Sequence, residues 1–398
     1  MKTLIVDDDA FALRLLERQL RHAGHEDVKV QQDASAALRL LEQAPTSIDL
    51  VICDLHMPGV DGIEFLRHLA GTGYRGGVVL ASGQDARVLE SVRRLALAHG
   101  IHVLGAFVKP IDPTQLAQVL SRASSSRAVP VAARPPLAVA DLREALDNGA
   151  LVNHYQPKVA MADGAVVGVE ALVRLQHPRL GLVYPDLFVG VAEAHGCSDA
   201  LTHAVITSAL RDAVAWSDAG RPLQVAINLS MDNLLALDFP DTLDVWIAAA
   251  GVAPAGLVLE VTESRLMHDP LAVLDVLNRL RLKGFRLAID DFGTGHSSLA
   301  QLRDIPFQEL KLDRGFVHRA DCDPARMAIV EATLAMAHRM NMTVVAEGIE
   351  DVQDWDYLAG LGCDVAQGWH IARAMSAHEM VPWCAGWDAR RRPRQANT

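Results

Sequence analysis

The chain has 398 residues, of which 50% are hydrophobic and 22% charged, and its formal net charge is −12. Domains typically hold about 100–200 residues, so this length predicts two or three domains, with enough apolar residues for a core in each. Proteins that coat nucleic acids usually carry a basic stripe, and a chain this acidic therefore argues against direct DNA binding. The negative charge does not exclude a small phosphate ligand held through metal ions.

Cysteine usage and the N-terminal residues indicate a soluble, cytoplasmic protein. The five cysteines form no CxxC pair, and an odd, scattered set is typical of reduced thiols rather than of disulfides or a zinc site. The first residues reach Asp7 too early for a signal peptide. No apolar run of about 18 residues is present, so we expect no membrane span.

Residues 1–121 alternate short apolar strands with helical patterns. The predicted strand segments are Leu4–Val6, Val28–Val30, Leu50–Cys53, Val78–Leu80 and Gly105–Val108. This alternation predicts βαβ units and a parallel, doubly wound α/β sheet, in which ligands bind at the carboxyl ends of the strands. The polar residues at these ends are Asp7, Asp8, Asp54, Ser82 and Lys109.

Three carboxylates, a hydroxyl group and a lysine at one sheet edge suit the transfer of a phosphoryl group onto an aspartate. Asp7 and Asp8 would hold one Mg²⁺, whose preferred ligands are oxygens, and Asp54 would attack the phosphorus. Ser82 and Lys109 would bind the phosphoryl oxygens. The sequence therefore predicts a phosphoacceptor site centred on Asp54.

Two motifs of this region resemble the receiver domain of bacterial two-component response regulators. They are Asp54–Gly62 (DLHMPGVDG) and Phe107–Pro110 (FVKP), and the resemblance covers residues 1–121. It implies a (βα)5 fold and a cognate sensor histidine kinase as partner. A receiver-like fold that cannot be phosphorylated is the alternative, which is disfavoured because every expected position is filled. The positions that the resemblance assigns are Asp54 as phosphoacceptor, Phe107 as aromatic switch residue and Lys109–Pro110 as a cis peptide bond.

Residues 122–139 have the composition of a linker. The stretch is rich in Ser, Ala and Pro without an apolar period, which predicts a segment that is flexible at its serines and stiffer at Pro135–Pro136. Phosphorylation adds a charge of about −1.5 to −2 at Asp54, and this segment would transmit the consequence. Transmission through a hinge and transmission through oligomerisation are both compatible with the sequence.

Farther along, the adjacent carboxylates Asp290 and Asp291 end an apolar strand and precede a Gly-Thr-Gly turn. Neighbouring side chains of a strand point to opposite faces, so both acids can face one point only if the backbone bends, as Gly293 and Gly295 permit. Two like charges about 4 Å apart repel by about 4 kcal/mol at an effective dielectric of about 20. The pair therefore predicts a divalent cation, and two solvated turn acids are the alternative.

From residue 166 onward the chain repeats one theme: an apolar strand, a polar residue at its end, and a helical stretch. Seven or so such units in about 260 residues fit a TIM-like (β/α) barrel, whose chemistry lies at the carboxyl face. A surface scatter of acids would not fall systematically at strand ends. The polar residues at these ends are Glu170, Asn228, Glu260 with Glu263, Asp290 with Asp291, Lys311 with Asp313, Glu347 and Gln367.

In such a barrel these acids would converge on one mouth, where they would repel one another unless about two divalent cations lay among them. All-oxygen ligands, with Asn228 as a neutral member, favour Mg²⁺ or Mn²⁺ over zinc. Two metals about 3.5–4 Å apart are the arrangement for in-line hydrolysis of a phosphodiester. Lys311 would stabilise developing charge or position the attacking water.

An ordered set of short motifs makes residues 140–388 resemble the EAL-type cyclic-di-GMP phosphodiesterases. A lone Glu-Ala-Leu carries no weight, since Glu144–Leu146 repeats it by chance, but the ordered set is specific. With the receiver in front, the chain resembles response regulators that join these two domains, and the second is expected to be a (β/α)8 barrel. The motifs are Tyr155–Pro157 (YQP), Glu170–Leu172 (EAL), Asn228–Ser230 (NLS), Glu260–Glu263 (EVTE), Asp290–Gly295 (DDFGTG), Lys311–Asp313 (KLD), Ala346–Glu350 (AEGIE) and Gln367–Gly368 (QG).

The resemblance implies cleavage of one phosphodiester bond of cyclic di-GMP to give linear pGpG, and it assigns roles to individual residues. The implied metal ligands are Glu170, Asn228, Glu260, Asp290, Asp291 and Glu347. The implied catalytic residues are Lys311 and Gln367 beside the ligands Glu170 and Glu347. The implied substrate contacts are Gln156, Arg174 and Asp313.

Regulatory features also follow from the resemblance. Glu263 would brace the loop after Asp291, which couples metal binding to the interface of a dimer or tetramer. Independently of the resemblance, the basic segment Arg390–Arg394 within the tail 389–398 is expected to be frayed and solvated. The positions that depart from the family pattern are Leu175, His296, Trp369 and Ala374.

Two other classes of protein are weighed against this enzyme. A catalytically silent sensor of cyclic di-GMP would signal through the receiver, but such a sensor is expected to have lost metal ligands, and here every ligand position is filled. A barrel enzyme of the enolase type also uses strand-end acids with Mg²⁺ and a lysine base. It would lack the Glu-Ala-Leu set and would not need Asn228.

Overall fold

A computed structural model describes residues 1–83, 86–125, 136–263, 269–293 and 299–391. The chain divides into two compact units, Met1–Ala133 and Arg134–Thr398. His296 lies outside the described residues, so its predicted place in the loop after Asp291 stays a prediction. Within the described ranges, no helix has both the length and the apolar character needed to cross a membrane.

The first unit is a parallel five-stranded sheet with the strand order β2-β1-β3-β4-β5, which confirms the predicted doubly wound fold. Apolar residues pack on both faces of this sheet in two separate buried clusters. The strands are β1 (Thr3–Val6), β2 (Val28–Gln31), β3 (Leu50–Asp54), β4 (Gly77–Ser82) and β5 (Val103–Val108). The helices are α1 (Ala10–His22), α2 (Ala34–Gln43), α3 (Gly62–Gly71), α4 (Ala86–Ala98) and α5 (Pro113–Ser125).

Local sequence signals explain where the helices of the first unit begin. Asp9, Asp33 and Asp61 precede α1, α2 and α3, and each side chain accepts a hydrogen bond from a backbone N–H of the first turn. Helix α5 continues to Ser125, into the stretch that the sequence assigns to the linker. A run of Arg, Ala and Ser without Pro or Gly does not stop a helix, which accounts for the difference.

The second unit is a closed barrel. Its strands follow one another in the order β6-β14-β13-β12-β11-β10-β9-β7, and β7 pairs with β6 to close the ring of eight strands. The strands of this unit are β6 (Leu151–Ala160), β7 (Val166–His177), β8 (Gly181–Val183), β9 (Gln224–Asn228), β10 (Leu257–Thr262), β11 (Arg286–Phe292), β12 (Glu309–Leu312), β13 (Thr343–Ala346), β14 (Val365–Ala366) and β15 (Met375–Ser376).

Helices surround the barrel, and the apolar core lies between them and the strands. The helices are α6 (Val139–Asp147), α7 (Val189–Ala194), α8 (Ser198–Asp218), α9 (Met231–Leu235), α10 (Phe239–Ala250), α11 (Pro270–Leu282), α12 (Leu299–Asp304), α13 (Arg314–Val317), α14 (Pro324–Arg339), α15 (Val352–Gly360) and α16 (Ala377–Arg391). Short 3-10 helices span Pro185–Leu187, Pro254–Gly256 and Ala320–Cys322.

The barrel differs from an all-parallel (β/α)8 barrel in its first strand. Strand β6 runs antiparallel to both of its barrel neighbours, β7 and β14. The connection from β6 to β7 holds only residues 161–165, and a connection that short can join antiparallel strands but not parallel ones. The sequence repeat of strand, polar residue and helix did not predict β6, because no helix separates it from β7.

Four acids that were predicted at strand ends lie inside strands: Glu170, Glu260, Asp290 and Asp291. Glu170 is in the middle of β7, which continues to His177 because it also pairs with β8, and Glu260 precedes the last residues of β10. Alternation along a strand still turns the side chains of Glu170 and Glu260 into the barrel. Below this acidic layer the interior is filled by a separate cluster of small and medium apolar residues, Ala226, Val258 and Ala288.

The C-terminal tail begins later than predicted. Helix α16 continues to Arg391, and the Arg390 guanidinium lies 5.3 Å from the centre of the Trp387 ring. The first basic residue of the predicted solvated tail is therefore part of a helix, with its charge over an aromatic face. Residues 392–398 lie outside the described residues.

Candidate active site

The acids predicted from the sequence meet around one buried lysine in the barrel. The Lys311 Nζ lies 2.7 Å from Glu347 Oε1, 2.8 Å from Glu260 Oε2 and 3.1 Å from Asp290 Oδ1. Glu170 Oε1 is 3.5 Å from the same nitrogen. Lysine 311 is 1% exposed, so these contacts are shielded from water. Side chains from β7, β10, β11, β12 and the end of β13 therefore converge on one point, as a barrel requires of its carboxyl face.

Burial moves the pKa values of most carboxyl groups in this cluster upward. Burial raises the pKa of Glu347 to about 8 and also raises the pKa values of Glu170 and Asp290. Glu260 is the exception: burial opposes its charge, but Lys158 and Lys311 together lower its pKa to about 2. Desolvated like charges repel strongly, and additional positive charge would let the other carboxyl groups ionise.

Asp291 provides the bend that brings adjacent acids to the same side. Its φ is +55°, and the pairing of β11 with β12 shifts register between Ile289 and Phe292. The left-handed region is tolerated by Asp more readily than by most residues. The sequence analysis expected this bend at Gly293 and Gly295. The turn instead starts at Asp291 and continues at Gly293, whose φ is +93°. Gly295 lies outside the described residues.

As a result, oxygen atoms of Asp290, Asp291 and Glu347 lie within 4.8 Å of one another, a spacing that suits a metal ion. The Asp291 backbone N–H donates to Asp290 Oδ1 at 2.9 Å, which fixes one carboxylate relative to the other. Burial also raises the pKa of Asp291, with the nearby Asp313 carboxylate adding to the effect.

Two amide side chains hold both oxygens of Glu170. The Asn228 amide donates to Glu170 Oε1 at 3.1 Å, and the Gln367 amide donates to Glu170 Oε2 at 2.6 Å. Gln367 Oε1 is buried and has no hydrogen-bond partner among the residues that the structure describes. An unpaired buried carbonyl is costly unless water or an ion satisfies it. The donor set and this unpaired oxygen therefore fit hard divalent cations and their water.

The predicted substrate contacts lie in three different environments. Gln156 pairs with Glu170 across the β6–β7 ladder and accepts a hydrogen bond from the Gln367 amide. Arg174 is buried, stacks over the Tyr184 ring at 4.8 Å, and has its pKa lowered by burial. Asp313 caps α13 through the Gly315 N–H.

Two cavities open beside the acids and share Leu172 in their walls. One measures 310 Å³ and contains the acidic cluster; the other measures 390 Å³ and is largely apolar. The first is lined by Gln156, Glu170, Leu172, Asp290, Lys311, Arg314, Glu347, Gly348, Glu350, Gln367, Gly368 and Trp369. Trp369, one of the departures from the family pattern, is 53% exposed and has the Arg373 guanidinium 4.2 Å from its ring centre.

The sequence did not single out Lys158, which the structure places inside the barrel. This residue is 4% exposed, and its Nζ donates to Glu260 Oε1 at 2.9 Å and to Glu309 Oε1 at 2.7 Å. A lysine is usually read as a surface residue, and the strand that carries it was not predicted. The available signal was the two-residue spacing from Gln156, which puts both side chains on one face of a strand.

Glu263 contacts the segment after the paired aspartates, where it was expected. Its side chain is 3% exposed, and its Oε2 accepts a hydrogen bond from the Gly293 N–H at 2.9 Å. The bond ties the end of β10 to the residue two positions after Asp291. Residues 294–298, the remainder of that loop, lie outside the described residues, and its coupling role stays a prediction.

The first unit has its own acidic site at the carboxyl ends of β1 and β3. The Lys109 Nζ lies 2.6 Å from Asp7 Oδ2 and 3.0 Å from Asp54 Oδ2. Oxygen atoms of Asp7, Asp8 and Asp54 lie within 4.8 Å of one another. Burial raises the pKa of Asp7 despite its bond to Lys109. This arrangement fits a Mg²⁺ ion beside a nucleophilic aspartate.

The other predicted positions of this site are also present. Ser82 is fully buried at the end of β4, and its backbone oxygen accepts a hydrogen bond from the Lys109 N–H at 2.8 Å. The Lys109–Pro110 peptide bond is cis. Phe107 pairs with Ala81 across β4 and β5 and packs beside the core cluster that contains Ile111.

Residues 139–374 match the EAL domain family, and residues 3–121 match the response regulator receiver domain. The chain therefore belongs to the EAL domain family and carries a receiver domain ahead of its EAL domain. Both matches agree with the two units and with the resemblance predicted from the motifs.

Individual relatives share these domains. The cyclic di-GMP phosphodiesterase RocR of Pseudomonas aeruginosa is 31% identical over 391 residues, which cover 97% of this chain and 99% of that protein. The cyclic di-GMP phosphodiesterase NbdA of the same organism is 42% identical over 236 residues, but these cover 59% of this chain and 30% of NbdA. The solved c-di-GMP complex of the MucR phosphodiesterase is 39% identical, with a TM-score of 0.58, and covers 61% of this chain and 98% of that structure.

Proposed function

We propose that this protein is a response regulator whose EAL barrel hydrolyses cyclic di-GMP to linear pGpG. The observation that carries the proposal is the convergence of Glu170, Asp290 and Glu347 on Lys311, beside an unpaired Gln367 oxygen. RocR and NbdA, which are named cyclic di-GMP phosphodiesterases, support the choice of substrate. The two adjoining cavities give an extended cleft next to the acids, which suits a dinucleotide.

The proposed ligands of two Mg²⁺ or Mn²⁺ ions are Glu170, Asn228, Glu260, Asp290, Asp291 and Glu347. When bound, the two ions neutralise these carboxylates and polarise the phosphodiester toward in-line attack. With these carboxylates engaged by the ions, the Lys311 ammonium would be released to donate a hydrogen bond to the attacking water, and Gln367 Oε1 would accept one from it, which would orient a water lone pair toward phosphorus. The water gives up one proton as its oxygen forms the new P–O bond, the bond from phosphorus to the 3′ oxygen breaks, and the 3′ oxygen takes up one proton, so that one water is added overall. Gln156, Arg174 and Asp313 are the proposed contacts to the dinucleotide.

The receiver is proposed to control this activity. In the proposal, a sensor histidine kinase phosphorylates Asp54 with one Mg²⁺ held by Asp7 and Asp8, and Lys109 and Ser82 bind the phosphoryl group. The added negative charge would change the receiver through Phe107, and the linker would pass the change to the barrel in a dimer or tetramer. The domain boundaries in this proposal are 1–121, 122–139, 140–388 and 389–398, and the compartment is the cytoplasm.

The test is chromatography of purified full-length protein incubated with cyclic di-GMP and Mg²⁺. The wild type should produce pGpG, and Glu170→Gln should lower kcat/KM at least 100-fold because a charged ligand is lost. Glu144→Gln is a matched control, since Glu144 lies exposed in α6 within a second Glu-Ala-Leu tripeptide, and it should retain full activity. Binding of the dinucleotide without cleavage by the wild type would make the protein a sensor and refute the proposed enzyme.

A further inference from the structure

Lys158 and Glu309 form a buried ion pair one layer below the acidic cluster. Lys158 lies two residues after Gln156 on β6, and Glu309 lies two residues before Lys311 on β12. Residues two apart on a strand face the same side, about 6.6 Å apart along it. Both side chains therefore point into the barrel, and the Lys158 Nζ donates to Glu309 Oε1 at 2.7 Å. Neither residue has a role in the proposed mechanism.

The geometry of Glu260 gives this pair a function. Its Oε1 accepts from Lys158 at 2.9 Å, while its Oε2 accepts from Lys311 at 2.8 Å and from the Asn228 amide at 3.4 Å. The two oxygens are thus divided between the two layers. Oε2 faces the acidic cluster, and Oε1 is turned away from it. A carboxylate whose two oxygens are held by different partners cannot rotate without losing a charge-assisted hydrogen bond.

Lys311 alone does not fix this orientation. Four carboxylates lie within 3.5 Å of its Nζ, so it has no geometric preference for Glu260. Lys158, in contrast, directs its hydrogen bonds to Glu260 and to Glu309. Glu309, 6% exposed, holds the lysine from the opposite side.

A contribution to the stability of the folded barrel does not explain why Lys158 and Glu309 form a buried ion pair. Removing two charges from water costs several kcal/mol per ion, and replacing a buried ion pair by apolar residues is often neutral or stabilising. Apolar residues do fill the same depth of the interior on the adjacent strands, where a cluster of Ala226, Val258 and Ala288 is buried. Apolar packing would therefore suffice here if support of the fold were the only requirement.

We propose that Lys158, held by Glu309, is a positioning residue that fixes the Glu260 carboxylate with Oε2 toward the metal site and thereby sets the affinity of the site for divalent cations. The inference rests on the proposed function for its assignment of Glu260 as a metal ligand. Residues that orient a ligand typically change metal affinity about 10–100-fold when they are lost.

The test compares the wild type with the double variant Lys158→Met, Glu309→Leu. This change removes one charge of each sign, so the net charge near the site stays constant, while the hydrogen bond that orients Glu260 is lost together with the bond between Lys158 and Glu309. Mn²⁺ binding to the folded full-length protein is measured by electron paramagnetic resonance and calorimetry, without dinucleotide, and every sample also carries Asp7→Asn and Asp8→Asn so that the receiver site does not contribute to the measured Kd. The expected result is a Kd for Mn²⁺ about tenfold higher or more. A Kd equal to that of the wild type would overturn the inference.

A control separates positioning from general support of the barrel. Asn153 is buried on the same strand, where its amide donates to the Val205 carbonyl at 2.9 Å, away from the acids. Asn153→Leu should lower the melting temperature without changing the Kd for Mn²⁺. An equal loss of Mn²⁺ affinity in this control would show a purely structural effect and refute the positioning role.

If the double variant does not fold, the variant Lys158→Gln, Glu309→Gln replaces it. For this variant we expect a Kd for Mn²⁺ at least threefold higher than that of the wild type, and an unchanged Kd would refute the inference.

The same samples are assayed with cyclic di-GMP, which keeps the two proposals separable. A wild type that binds Mn²⁺ but does not cleave the dinucleotide refutes the proposed function and leaves the positioning role to the Mn²⁺ data. A wild type that cleaves, together with variants of unchanged Mn²⁺ affinity, refutes the positioning role alone. A wild type without Mn²⁺ affinity refutes both.

Discussion

Glu260 and Glu347 both contact Lys311, yet their pKa values move in opposite directions. Glu260 has a second buried cation, Lys158, on its other oxygen, and the two lysines outweigh the effect of burial. Glu347 shares Lys311 with three other carboxylates, so burial prevails and raises its pKa to about 8. At the scale of the single residue, the number of cations that contact each carboxyl group decides its charge.

A pH dependence of stability follows for the metal-free protein. A carboxyl group whose pKa is higher in the folded than in the unfolded chain binds more protons when folded, so stability falls as pH rises through the interval between the two values. For Glu347 this interval runs from its ordinary range to about 8. We therefore expect the melting temperature of the metal-free barrel to fall between pH 5.5 and pH 8, and saturating Mg²⁺ to reduce the fall. Calorimetry with and without a chelator measures both.

Variants isolate the contribution of this residue. Glu347→Gln removes the titrating group, so its melting temperature should depend less on pH than that of the wild type, whereas Glu144→Gln should follow the wild type. Burial lowers the pKa values of His25 and His154, and these shifts act in the opposite direction over part of the range. The comparison between variants removes their effect. Equal slopes for wild type and Glu347→Gln would contradict the prediction.

The identities of the acids could be predicted from the sequence, and their surroundings could not. Carboxylates that follow apolar strands at regular spacing mark the carboxyl face of a barrel, which is why Glu170, Asp290 and Glu347 were found. The positive φ of Asp291 leaves no trace in residue type, since a Gly-rich turn follows it in any case. Lys158 was missed because its strand was not predicted, and without that strand its two-residue spacing from Gln156 does not distinguish it from a surface lysine.

At the scale of the element, β11 and its irregular end position the paired aspartates. The register shift after Ile289 and the bend at Asp291 turn two successive carboxylates to one side. Gly293 continues the bend with φ +93°, and its N–H is held by Glu263. The bend is thus held from a neighbouring strand end through the hydrogen bond between Glu263 and Gly293.

Gly293→Ala tests this element. The substitution forces a Cβ into the left-handed region, which costs about 1–2 kcal/mol, and the added atom would lie 3.0 Å from the Phe316 ring. We expect a lower free energy of unfolding and weaker Mn²⁺ binding, because relief of the strain moves Asp291. Urea denaturation and Mn²⁺ titration are the measurements.

A second glycine provides the control for this variant. Gly386 lies within α16 with open space around it, and Gly386→Ala should leave Mn²⁺ affinity unchanged and stability equal or higher by about 0.5–1 kcal/mol. Wild-type Mn²⁺ affinity in Gly293→Ala would show that the bend at 291–293 does not position the aspartates.

Element order was predictable except where the chain leaves the βα repeat. The five strands of the first unit follow apolar segments bounded by polar ends, and all were placed in the expected kind of sheet. Strand β6 was not predicted, because Pro157 and Lys158 interrupt its apolar alternation and no crossover helix follows it. Its antiparallel pairing is a consequence of a short connection, which a search for βα units does not detect.

At the scale of the whole molecule, the two units repeat one physical device. In each, a lysine near the carboxyl end of a parallel strand contacts carboxylates from other strands of the same sheet: Lys109 with Asp7 and Asp54 in the first unit, and Lys311 with four acids in the second. The geometry of parallel sheets brings such ends together. The two sites differ in how many carboxylates contact the lysine, two in the first unit and four in the second.

If the first site controls the second, loss of its nucleophile must make the barrel insensitive to phosphoryl donors. Beryllofluoride or acetyl phosphate should change the rate of cyclic di-GMP hydrolysis by the wild type at least twofold, because a charge of about −1.5 to −2 is added beside Lys109. Asp54→Asn keeps the shape of the side chain but cannot accept the group, and its rate should not respond. Asp27→Asn, an exposed acid outside the site, should respond as the wild type does. A rate that still responds in Asp54→Asn would mean that another residue accepts the phosphoryl group. A wild type that is phosphorylated at Asp54 without a change in its rate of hydrolysis would show that the receiver does not control the barrel.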